Sequence, residues 1–224
     1  MTASATGLDR SAAVTRSLLG WGVVAGPFYV VVGLVLAFTR PGFDLSRHAL
    51  SLLTLGDLGW LQRGNLALVG LMVIAAAWGI LRAIRNGRGL AIGVLTAIDG
   101  VALVLSAVFV PDPVTGFPPG SQGGELTVSG ILHLVFGAFG FLAIAAASVA
   151  HGVWCRSIGD ARSGTVSFVL GAVVVIGFVC GAALAQSPVG ISLLWLAVVA
   201  QFTWLGLASA QIYRWSPHPL YSLR

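Results

Sequence analysis

Long apolar runs separated by short polar connections dominate this chain. Six runs stand out, near Leu18–Phe38, Leu66–Ile84, Leu90–Val110, Val128–Ala150, Val166–Leu184 and Gly190–Ile212. A helix of about 20 apolar residues crosses a hydrocarbon core of roughly 30 Å, so the pattern predicts six membrane-spanning helices. Glycines inside the runs do not oppose this, since membrane helices use glycine freely. The first run follows a polar stretch holding Arg10 and Arg16 and is too long for the apolar core of a signal peptide. It reads as an uncleaved first span.

Two connections carry patterns of their own. Between the first two spans, Asp44, Arg47, His48, Ser51 and Thr54 recur at helical spacing, with Leu45, Ala49, Leu52 and Leu53 on the opposite face. That spacing predicts a short amphipathic helix, ended by Gly56, Gly59 and Trp60 and lying along the interface or dipping into the bundle mouth. A re-entrant pair of short helices is the alternative for this segment. The connection between spans three and four, Pro111–Thr127, is rich in proline and glycine and is expected to be irregular. The fold class that follows is an all-α membrane protein: one domain, a six-transmembrane-helix bundle with a short amphipathic interfacial helix between spans 1 and 2.

Composition agrees. Hydrophobic residues make up 57% of the 224 positions and charged residues 8%, against about 25% charged in a soluble domain. Lipid is therefore the expected solvent. All twelve basic residues are arginine, which excludes lysine Schiff-base chemistry. The net charge of +5 does not point to nucleic acid, because the arginines stand singly at span ends. Their distribution predicts orientation. Arg10, Arg16, Arg82, Arg85, Arg88, Arg156, Arg162, Arg214 and Arg224 fall at one end of the spans, while the third and fifth connections have none. Basic loops stay cytoplasmic, so both termini are expected in the cytoplasm of a prokaryotic cell with the protein in its plasma membrane. Arg40, Arg47 and Arg63 in the first connection are the exception. Cys155 and Cys180 lie too far apart along the bundle for a disulfide to be expected.

Candidate chemistry lies in two places. At the outer end, His48 and Asp44 of the first connection, Asp112 at the end of the third span and His133 inside the fourth share a membrane face. Gly130, Gly137 and Gly140 share a helical face with His133. Small residues admit a close neighbour, so His133 is expected to point inward, and a polar group in lipid needs a partner. Asp112 or the first connection would supply it. Two histidines and a carboxylate also form a zinc set with a position open for water. His48, Asp112 and His133 are thus candidate catalytic and metal residues, with zinc the possible cofactor. Asp44, Arg47, His48, Ser51, Asp112 and His133 form the candidate ligand-binding set. A purely structural polar clasp is the third reading of the same residues.

The other place is Asp99, near the middle of the third span, with Thr96 and Ser106 on its face and Gln201 in the last span. An aspartate at that depth costs on the order of 2.5–3.5 kcal/mol to insert. Thr96, Asp99, Ser106 and Gln201 are candidate transport residues. The alternative is an aspartic acid that keeps its proton and bonds to a neighbouring helix. Gly22–Gly26 and Gly177–Gly181 have the spacing of close helix packing.

The run FDLSRHALSLLTLGDLGWLQRGN, followed by VFVPDP, FPPG and ILHLVFG, resembles a prokaryotic membrane family known as domain of unknown function 998. The likeness extends over most of the chain. It implies a compact six-helix bundle and brings no catalytic residues with it. A fainter likeness to alkaline-ceramidase-type membrane hydrolases stops at their late HxxxH pair, which this chain lacks. Three functions stay open at this point: binding of a membrane lipid or small ligand, with or without a structural role; metal-assisted lipid hydrolysis at the outer leaflet; and transport through Asp99.

Overall fold

The computed structural model describes residues 9–124 and 126–219. It contains six long helices, α1 (Arg10–Thr39), α2 (Gly59–Ala83), α3 (Gly87–Val108), α4 (Val128–Ser157), α5 (Ala161–Ala183) and α6 (Pro188–Trp215). All six are long and apolar enough to cross a membrane. The protein is a multi-pass membrane protein. Polar residues cap five of the six. Asp9, Asn86, Thr127, Asp160 and Ser187 accept from first-turn amides of α1, α3, α4, α5 and α6, which would otherwise lack partners. Pro188 opens α6, where its missing N–H costs nothing.

Consecutive helices pack side by side and α6 returns to α1, closing a ring. The first, third and fifth connections therefore share one end, the loop end. The described parts of both termini share the other, the terminal end; Arg224 lies outside the described residues. Large apolar side chains such as Val31, Phe38, Leu71, Trp78 and Phe139 are exposed on the outside of the ring, a surface that suits acyl chains and not water.

Both glycine pairs seat α6. A Cβ at Gly26 would stand 2.7 Å from the Phe202 Cβ. One at Gly181 would stand 2.9 Å from the Gly190 carbonyl oxygen. The last helix is gripped by a small-residue stripe of α1 on one side and of α5 on the other, a geometry that gives close van der Waals contact where no hydrophobic effect operates.

The first connection is less helical than its spacing predicts. Turns cover 45–47, and the only helix is a 3-10 turn at Leu50–Thr54. The reason is local. His48 turns back so that its Nδ1 accepts from the Asp44 amide at 2.9 Å, and Ala49 is extended, which breaks the helical path. Leu52, Leu53 and Thr54 are buried, so the segment enters the mouth of the bundle. Arg40 explains one orientation misfit. Its guanidinium is buried and donates to the carbonyls of Leu53 at 3.3 Å and Leu55 at 2.6 Å. Arg63 donates to the Thr54 carbonyl at 3.1 Å. Both arginines are spent on holding this turn, and Arg47 is left exposed.

Candidate functional site

A cavity of about 880 Å³ opens at the loop end and runs into the ring between α3, α4, α5 and α6. Its size is that of a drug- or lipid-sized ligand site. Residues of both candidate groups line it: Arg47, His48, Ser51 and Asp112 around the mouth, His133 and Ser106 part-way down, Asp99 and Gln201 at the closed end, while Asp44 does not. Thr96, buried one turn below, bonds back to the Ile92 carbonyl of its own helix at 2.8 Å and does not line the cavity.

The mouth is framed by an aromatic clasp between the first and third connections. The His48 ring lies 5.3 Å from the rings of both Phe43 and Phe117. Phe117 is fully buried, and the Arg40 guanidinium sits 5.7 Å over its face, within reach of a cation–π attraction. Trp195 of α6 reaches across to donate to the His48 carbonyl at 3.4 Å. Burial lowers the pKa of His48; the nearby Asp44 works against that and Arg47 with it. Asp44 is held below its usual range, chiefly by the Ser46 hydroxyl and amide. Asp44 and Arg47 form an exposed ion pair at 3.7 Å.

His133 points inward, yet its partners are not those expected from the sequence. Nδ1 meets the Phe109 carbonyl at 2.8 Å and the Ser106 carbonyl at 3.3 Å. Carbonyl oxygens only accept, so Nδ1 carries the proton and Nε2 is an acceptor. Asp112 turns to the start of α4 instead, where it accepts from the Thr127 hydroxyl at 2.6 Å and the Thr127 amide at 3.1 Å. A Cβ at Gly130 would fall on that carboxylate, so the glycine is the space Asp112 needs. Among the described residues no three His, Cys, Asp or Glu side chains form a group arranged to hold a metal ion.

At the closed end, Gln201 Nε2 donates to Asp99 Oδ1 at 3.1 Å and Oδ2 at 3.2 Å. Asp99 is 1% exposed and Gln201 3%. The bond joins α3 to α6 across the inside of the ring, between helices that are not neighbours in it. Gly140 of α4 backs the carboxylate, with room for a Cβ only 3.1 Å from Asp99 Oδ1. Aromatic rings line the same depth: Phe202 of α6, Tyr29 of α1 tilted against it with ring centres 4.9 Å apart, and the stacked pair Phe141–Phe178 at 4.7 Å. Toward the loop end from that pair, the cavity opens beside Leu134 and Gly137 of α4. Leu134 lines the cavity while 61% exposed, and nothing stands within 4 Å of a Cβ added at Gly137.

A third polar cluster lies at the terminal end and escaped the sequence reading. The Ser167 hydroxyl is 2.8 Å from His151 Nδ1. Cys155 Sγ is 3.3 Å from Gln211 Oε1, whose Nε2 donates to Asp160 at 2.7 Å. Asp160 lies below its usual range, first because the Ser163 amide bonds to it. These residues come one or two to a helix, so no local pattern marks them. They bind α4, α5 and α6 together and line no part of the cavity. Cys155 and Cys180 are both free thiols.

A family profile described as "Protein of unknown function (DUF998)" matches residues 23–211. No curated protein and no solved structure matches the chain.

Proposed function

Because the chain belongs to the DUF998 family of membrane proteins, a family of unknown function, we propose that its role lies in the cavity: binding of a small amphiphile or lipid taken from the membrane. The carrying observation is that one cavity of about 880 Å³ unites a polar mouth, apolar and aromatic walls and a polar closed end. The gap beside Leu134 and Gly137 supports entry from the lipid side. The arginine distribution supports a loop end facing out of a prokaryotic cell, so the ligand would come from the outer leaflet of the plasma membrane.

The test uses Gly137→Phe. A phenylalanine there meets no wall at its Cβ, and replacing a helical glycine improves helix propensity by up to about 1 kcal/mol. The variant should fold and obstruct the cavity where it opens beside Leu134. Native mass spectrometry of detergent-purified wild type should show a bound amphiphile that the folded variant lacks. An equal bound mass on both, or none on either, would speak against the reading.

A further inference from the structure

The closed end of the cavity is built almost entirely of acceptors. Asp99 offers two oxygens with about four lone-pair positions, and Gln201 uses its amide nitrogen on both of them. Gln201 Oε1 points to no donor among the described residues. His133 Nε2, higher on the same wall, is an acceptor as well because Nδ1 is the protonated nitrogen. No arginine lines this end; Arg47, the only arginine around the cavity, stands exposed at the mouth. A carboxylate in lipid needs a compensating charge or donor, and one glutamine amide does not supply a charge. The rings of Tyr29, Phe141, Phe178 and Phe202 surround the approach, and aromatic faces attract cations.

We propose that the ligand is a lipophilic amine, bound head inward, its ammonium bonded to Asp99 and Gln201 Oε1 and its hydrocarbon tail along the apolar walls toward the opening beside Leu134 and Gly137. This deepens the cavity-binding reading above and rests on it. The head-inward pose is opposite to that of an ordinary lipid in the leaflet, and it follows from where the acceptors are. An anionic headgroup would meet the Asp99 carboxylate and Gln201 Oε1 with no arginine at this depth to compensate its charge, so fatty acids are rejected. A neutral alcohol satisfies the acceptors with one proton and brings no charge.

The test is binding of octylamine, octanol and octanoate at pH 7 to the full-length protein in nanodiscs, by isothermal titration, with Gly137→Phe as the obstructed-cavity blank. The expected order is octylamine at least ten-fold tighter than octanol, and octanoate weaker than both. Asp99→Asn should bring octylamine down to the level of octanol. Equal binding of octylamine and octanol to wild type, or an amine preference that survives in Asp99→Asn, overturns the amine assignment while leaving the cavity reading standing. Loss of any difference between wild type and Gly137→Phe for all three probes overturns the cavity reading itself. If Asp99→Asn does not fold, the order of the three probes on wild type decides alone.

Discussion

Asp112 takes both the hydroxyl and the amide of Thr127, at 2.6 and 3.1 Å, while the same hydroxyl oxygen accepts from the Gly130 amide at 3.1 Å. One carboxylate thus closes the third connection and orients the cap of α4, the helix that carries His133. Replacing Thr127 with Val removes both roles of the hydroxyl. The expected cost is about 1 kcal/mol, the usual value of an N-cap. Asp112→Ala should cost about as much, and the double variant little more than either, because both remove one shared network. Thermal melts of the four proteins in one detergent measure the coupling; simple additivity would show that the two residues act independently.

Arg40 offers a sharper case. It satisfies two carbonyls with one planar fork while 8% exposed. Burial lowers its pKa from the ordinary arginine value and the nearby Asp57 raises it. Arg40→Ala leaves buried acceptors without donors, each worth about 1–3 kcal/mol. Arg40→Lys, a single flexible donor head, should recover less than half of the lost stability. A lysine variant as stable as wild type would mean that charge near Phe117, and not the fork, is what matters.

His48 should contribute a pH dependence. Its folded-state pKa is depressed, first by burial, and its Nδ1 must be unprotonated to accept from the Asp44 amide. The unfolded chain then binds the proton more readily, so stability rises with pH across the window between the folded value and about 6.5. Melting temperature should hold above pH 7 and fall as the pH drops below about 6.5. Asp44, itself held low, keeps its charge through that range. His48→Gln should flatten the profile between pH 7 and 5. An unchanged slope in that variant would assign the effect to another group.

The two grips on α6 predict a contrast among glycines. Gly26→Leu and Gly181→Leu place side chains against Phe202 and against the Gly190 carbonyl, and both should reduce the folded fraction recovered from membranes by several fold. Gly64→Ala and Gly20→Ala meet nothing within 4 Å and should be neutral or slightly stabilising. Fluorescence-detected size exclusion of the four variants separates the classes.

Much of this architecture is readable from the chain. Six apolar runs give six helices, and the Asp9 cap marks why Arg10–Thr39 begins ahead of its run. The meeting of Asp99 with Gln201 follows from depth alone, since both sit near the middle of their spans. The partners of His133 were beyond reach, because backbone carbonyls at the end of α3 leave no mark in the side-chain pattern. The first connection misled for a related reason. Its helical spacing is real, but the fold-back of His48 onto Asp44 and the pull of Arg40 on Leu53 and Leu55 compete with the helix and win. The union of the mouth and midplane residues in a single cavity depends on how six helices lean, which no periodicity records.

Beyond Asp99 and Gln201 the next layer toward the terminal end is Trp204, fully buried and edge-on to His151 with ring centres 6.0 Å apart. The chamber is therefore blind. On the binding reading proposed above, a molecule that enters leaves by the opening it used. What such a site would control is dwell time, set by how long the loops and the rim beside Leu134 keep a guest in place.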